Sequence, residues 1–213
     1  MFGRAFGKTE ITTRMADVSG ATDGASTVTT GLIAGTRVAT RQGWRPVEAV
    51  AEGDEVLTFD DGLQRVSRIT RTRMTRCLRK HLPLCVPVNA LGNRTELWLM
   101  PDQAVVIENN AAETLVGDAF AAIPASALEG LLGIERAIPA GEIEIITLYF
   151  EDEQMVFTNS GAMLHCPAMS DLVVDLFRAV ERRSYNRVPA PVAAHIAAAV
   201  ATEYAAAGIA AAA

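Results

Sequence analysis

The side chains able to do covalent or metal chemistry are few in this sequence: Cys77, Cys85 and Cys166, with His81, His165 and His195. An odd number of widely spaced cysteines, with no Cys-x-x-Cys pair, builds neither a disulfide framework nor a zinc site. His81 lies among basic residues and His195 in an alanine-rich tail, at no metal-ligand spacing from each other. No metal and no cofactor is therefore expected. His165-Cys166 sets an imidazole beside a thiol, the two groups that an activated thiolate needs. Adjacent side chains on an extended chain point to opposite faces, so this pair is read as structural, as are Cys77 and Cys85. Free thiols fit a reducing cytoplasm.

Chemistry would then depend on residues brought together by the fold, and the stretch from Gly31 to Thr58 organises it. Val38 sits in a β-favouring run, Gln42-Gly43 makes a turn, and Val47 and Val50 flank a short connection. Glu52-Gly53-Asp54 turns the chain into the strand Val56-Leu57-Thr58. Asp60-Asp61-Gly62 is a hairpin signal, and residues 64–80 return with Val66, Ile69 and Met74 as inward positions. Leu97–Leu99 and Val105–Ile107 read as two further strands. Residues 114–123 read as a strand, followed by a short helix starting near Ser126. Residues 142–150 alternate as a half-buried strand, with Gln154–Thr158 as its hairpin partner and Asn159-Ser160-Gly161 as the closing turn.

Gly35-Thr36, a strand, a glycine turn, Pro46-Val47-Glu48 and then Gly53-Asp54-Glu55-Val56-Leu57 resemble the opening of a Hint domain. This is the self-cleaving module shared by hedgehog proteins and inteins, and the bacterial hedgehog/intein-like subfamily fits best. The strand before Met100-Pro101-Asp102-Gln103 and the strand after it are similar to the subfamily's Ser/Thr-Pro-x-His segment. The resemblance covers residues 31–167 and implies a mainly β fold, a Hint-like horseshoe of twisted β-hairpins. It also implies where the chemistry would sit. The family's Cys, whose thiol attacks the preceding carbonyl to form a thioester, falls at Gly31, which has no side chain. Met100 stands in place of the hydroxyl, and Gln103 in place of the general-acid imidazole. A glutamine amide donates a hydrogen bond but delivers no proton near neutral pH. In the family's last strands the two histidine positions fall on Thr147 and on Glu153 or Gln154. The resemblance thus implies no autoprocessing and no splicing. The alternative is residual self-cleavage by a hydroxyl nucleophile, Thr30, one residue from the expected position.

Two extensions flank this domain. Residues 1–30 are rich in Gly, Ser and Thr and lack the apolar run of a secretory signal, so they read as an extended arm with Phe2, Phe6, Ile11 and Met15 as its apolar anchors. Residues 168–213 read as helical. Ser170 can cap a helix over 171–183 whose stripe is Leu172, Val173, Leu176, Phe177 and Val180. Pro189-Ala190-Pro191 breaks the chain before an alanine-rich helix with Ile196, Val200, Tyr204 and Ile209 as contact residues. Arg65, Arg68, Arg71, Arg73, Arg76, Arg79 and Lys80 put seven cations in 16 residues, with no acid among them. They form either a solvated strand face or a patch for an anionic partner, and of such partners nucleic acid fits least, because no binding motif accompanies the charge.

The resulting expectation is a non-enzymatic accessory or interaction subunit of a larger assembly, with the scaffold as platform and the extensions as tethers. Its contact residues would be Phe2, Phe6, Ile11, Arg71, Arg73, Arg76, Leu172, Leu176, Phe177 and Tyr204. A net charge of −6 and no apolar run long enough to span a bilayer place it in the cytoplasm, or at the inner membrane through a partner.

Overall fold

The computed structural model describes residues 28–74, 78–139, 142–169, 185 and 188–206. Phe2, Phe6, Ile11, Arg76, Cys77, Leu172, Leu176 and Phe177 lie outside the described residues, and so does the helix expected over 171–183. The described chain is mainly β. Its strands are β1 Leu32–Ile33, β2 Arg37–Thr40, β3 Gly43–Pro46, β4 Glu55–Thr58, β5 Gly62–Arg65, β6 Arg68–Met74 and β7 Leu84–Val86, then β8 Leu97–Leu99, β9 Ala104–Glu108, β10 Phe120–Pro124, β11 Glu135–Arg136, β12 Ile143–Tyr149, β13 Gln154–Phe157 and β14 Met163–Cys166. Two helices, α1 Asn110–Val116 and α2 Ala190–Ala206, complete it.

The strands form two sheets. One has the order β11-β7-β8-β1-β12-β6; the other runs β10-β9-β14-β13-β4-β2-β3, with β5 paired to β4. The turn expected at Asp60-Asp61-Gly62 closes the β4–β5 hairpin, where Thr58 opposes Gly62 at a φ of 67°, a left-handed backbone that glycine adopts without strain. Between the sheets Val38, Val56, Leu99, Ile146, Leu148, Phe150, Val156 and Leu164 are buried in one core. A smaller cluster of Ile33, Met74, Met100, Ile143 and Ile145 packs on the other face of β12. With apolar neighbours on both faces, β12 carries isoleucines at 143, 145 and 146 where a half-solvated strand would alternate.

Two expectations need correction. Residues 142–150 and 154–158 are both strands, but they do not pair. β12 pairs with β1 and β6, β13 pairs with β4 and β14, and the link Glu151–Glu153 carries the chain from one sheet to the other. The expected turn at Asn159-Ser160-Gly161 instead closes β13 onto β14. Residues 114–116 belong to a helix, since Asn109 accepts the Ala111 N–H at 2.7 Å as N-cap and Gly117, at φ 79°, ends the helix in a left-handed cap. The β-favouring Thr114-Leu115-Val116 is overridden by those two stops.

The alanine-rich helix does find a groove, and the domain itself supplies it. Ala193, Ile196, Ala197 and Val200 are buried in the main core, and small alanines let α2 approach closely where it packs on α1, β10 and the turn Ala125–Leu128. Pro191 sits inside the first turn, where a missing N–H costs nothing. Tyr204 is half-buried against the same core. Asn109 joins the helices by donating from Nδ2 to Glu203 at 2.7 Å. Asn109→Ala is therefore expected to lower stability by about 1–2 kcal/mol, the upper range for an N-cap, as measured by urea unfolding.

Candidate functional site

The site is built where residues 28–31 meet the turn before β9. Met100-Pro101-Asp102-Gln103 is a β-turn closed by the Gln103 N–H on the Met100 carbonyl at 3.0 Å, with proline at the second position, whose fixed φ suits it. Met100 itself is fully buried against Ile33, Ile143 and Ile145, so its side chain anchors the turn in the smaller core and presents nothing to the site. The turn pins the chain leading into β1. The backbone N–H of Asp102 donates to the Thr29 carbonyl at 2.7 Å, and the Gly31 N–H donates to Gln103 Oε1 at 3.0 Å.

Gln103 is only 1% exposed, and its carboxamide is fully used. Oε1 accepts from Gly31 and, at 3.4 Å, from the Thr30 hydroxyl. Nε2 donates to the carbonyls of Ala104 at 3.1 Å and His165 at 2.9 Å. All four hydrogen-bonding positions of the amide are occupied. Facing Gly31, the group acts as an acceptor from the amide N–H; it gives nothing to the amide nitrogen.

Gly31 is buried with φ at +120°. A Cβ built there would stand 2.6 Å from Ile145 Cγ2, 3.0 Å from Thr147 Oγ1 and 3.3 Å from the Ile146 carbonyl oxygen. Glycine is required by the backbone conformation and by the space. The structure thus brings together Thr30, Gly31, Gln103 and Thr147, positions that the sequence resemblance ties to one site. It adds Asp102 and Thr29, which act only through backbone atoms and so leave no mark in side-chain motifs.

The other reactive side chains lie elsewhere. His165 and Cys166 do face apart. The imidazole is buried, 3.4 Å from the Glu153 carboxylate without hydrogen-bond geometry and edge-on to Tyr185, while Cys166 is fully buried in the main core. Tyr185 ties this corner together, its N–H donating to Glu153 at 3.0 Å and its hydroxyl to Asp60. Burial pushes the Cys166 thiol far up; partial burial, and then the Glu96 carboxylate beside it, raise Cys85. In native protein at pH 8 Cys166 is expected to resist iodoacetamide and Cys85 to react slowly, with Cys166 becoming reactive in urea; peptide mass mapping reads this. Among the described residues no three His, Cys, Asp or Glu side chains gather to hold a metal. Arg71 and Arg73 are exposed on β6, and no described helix is long and apolar enough to cross a membrane.

Comparison with known proteins adds the following. The model of the Hint domain family matches residues 30–163, more than half of the chain. Among solved structures, a bacterial intein-like domain from Clostridium thermocellum superposes with a TM-score of 0.47 at 13% identity, covering 65% of this chain and 99% of that one. The gp41-1 intein does so with a TM-score of 0.42 at 13% identity, over 64% of this chain and 97% of its own. The AceL NrdHF class 3 split intein, in a splice-inactive variant, gives 0.42 at 15%, over 65% and 97%. No curated protein matches the chain.

Proposed function

This chain belongs to the Hint domain family, and from that premise we propose that it is an interaction subunit of a larger protein assembly, a Hint scaffold that does not cut its own backbone. The observation that carries the reading is the saturated carboxamide of Gln103 on the Gly31 N–H. Breaking the peptide bond between Thr30 and Gly31 would need a nucleophile at Gly31 and a proton delivered to its nitrogen. Gly31 has no side chain, and Gln103 faces that nitrogen with an oxygen that accepts. The same contacts make good structure: they hold the entry to β1 against β9 and β14, as a fixed platform requires. α2 extends the platform. Purification from the native host under gentle conditions, with size separation and mass spectrometry, tests the reading. Stoichiometric protein companions are the expected result, and a lone monomer would overturn it.

One contact favours a second reading. The Asp102 N–H polarises the Thr29 carbonyl at 2.7 Å, as an oxyanion donor would, and the Thr30 hydroxyl is the adjacent group. In that reading Thr30 Oγ adds to the Thr29 carbonyl carbon and the C–N bond to Thr30 breaks. The hydroxyl proton passes to the freed amine, leaving an ester. Among the described residues the hydroxyl's side-chain hydrogen-bond partner is Gln103, which accepts no proton near neutral pH. The purified chain is therefore expected to keep its intact mass of 22.7 kDa in hydroxylamine or dithiothreitol. A fragment beginning at Thr30 would establish the ester and sink the first reading.

A further inference from the structure

The six-stranded sheet ends on β6 among the described residues, and the arginines gather along that edge. Arg68, Arg71 and Arg73 are exposed. Among the described residues Arg68 and Arg73 make no ion pair, and Arg71 has a distant one, 4.0 Å to Glu144, besides a guanidinium hydrogen bond donated to the Val50 carbonyl at 3.2 Å. Their arrangement is extended. Arg71 and Arg73 project from one face about 6.7 Å apart, two strand residues, and Arg68 projects from the other.

The backbone of the same edge is oriented outward. β12 takes one side of β6, while the Ile69 N–H points the other way and is taken by the Glu52 carboxylate at 3.1 Å. By strand alternation the N–H and C=O groups of Arg71 and Arg73 face the same way as those of Ile69. Glu52 thus shows, within this chain, a carboxylate seated on that edge. Beyond it, the stretch Arg71–Met74 combines outward backbone groups with two exposed cations, Arg71 and Arg73, on one face.

We propose that the Arg71–Met74 edge of β6 binds an acidic, extended segment of a partner protein by strand addition, its alternate carboxylates meeting Arg71 and Arg73 on their shared face. The proposal rests on the interaction-subunit reading and gives its partner a chemistry. An extended polypeptide can use the outward backbone groups as well as the cations, whereas a lipid surface or a nucleic-acid backbone would meet the cations alone. The side-chain repeat of an extended partner also matches the spacing of Arg71 and Arg73.

The test titrates the full chain with an acetylated, amidated Thr-Glu-Val-Glu-Thr-Glu-Val-Glu peptide and follows backbone amides by NMR. Saturable shifts at Arg71 and Arg73 are expected. Affinity should fall about tenfold or more in R71E/R73E, the loss that follows reversal of close charge pairs. It should fall likewise with a peptide N-methylated at alternate residues, which keeps the charge and removes strand pairing. This second comparison uses the unaltered protein, so it stands even if R71E/R73E fails to fold. Shifts that map elsewhere, or binding indifferent to N-methylation, would overturn the proposal. So would phosphatidylserine vesicles or an oligonucleotide binding through these arginines where the peptide does not. Companions that still travel with R71E/R73E would reject this surface and leave the interaction-subunit reading standing; peptide binding by a chain that has no companions would do the reverse.

Discussion

Gly31→Ala is expected to destabilise the protein by about 3 kcal/mol or more, the sum of a backbone strained at φ +120° and an overpacked site. The added Cβ meets a branched side chain at 2.6 Å and a backbone oxygen at 3.3 Å, and neither can swing away as a flexible chain end would. Urea unfolding measures the loss, and a change under 1 kcal/mol would refute the account. The same geometry predicts the behaviour of an installed nucleophile. G31C/Q103H installs a thiol and an imidazole, but the thiol carries the same Cβ, so the double variant is expected to be unstable and to form no thioester. Hydroxylamine-sensitive cleavage in a well-folded G31C/Q103H would show that the backbone at Gly31 is competent once a thiol and an imidazole are supplied.

Gln103→Leu is the second large effect, about 3–5 kcal/mol, because it strands the Gly31 N–H and the carbonyls of Ala104 and His165 in a buried place. Gln103→Glu separates this explanation from simple packing. A carboxylate keeps the shape but turns an acceptor toward two carbonyl oxygens, so the folded state favours the protonated acid and holds its pKa above the unfolded value. Low pH then leaves little penalty, and the variant loses stability as pH rises through the ordinary carboxylate range, where the unfolded chain ionises first. If Gln103→Glu matched the parent at pH 7, the carboxamide would not be the clamp described. Both predictions concern one junction and will not add, since Gly31 and Gln103 share a hydrogen bond.

Much of the fold was legible in the residues. Turn signals such as Asp60-Asp61-Gly62 act locally, through the conformations that glycine and short polar side chains permit, and the β4–β5 hairpin follows from them. The Gly-Thr and Pro-Val-Glu pattern gave the family, and the family gave the architecture. Pairing between strands was less legible: β12 and β13 are consecutive and β-favouring, yet each pairs in a different sheet, because the two-sided burial of β12 outweighs the short link after it. Residues 114–116 read as strand because their β-favouring composition masks the Asn109 cap that starts the helix.

At the site the division is sharper. The sequence by itself determined that Gly31 offers no nucleophile and Gln103 no proton, since those follow from side-chain chemistry alone. It also determined that α2 would need a groove, because an alanine-rich helix has too little apolar bulk to stand in water. Only the tertiary structure decided that the groove belongs to the domain, that Ile145, Thr147 and a backbone oxygen close the space a nucleophile would use, and that Gln103 spends all four hydrogen bonds on backbone and hydroxyl groups up to 73 positions away in the chain. The reason is physical: local conformation depends on neighbours in sequence, whereas free volume and hydrogen-bond saturation are properties of atoms brought together only by folding.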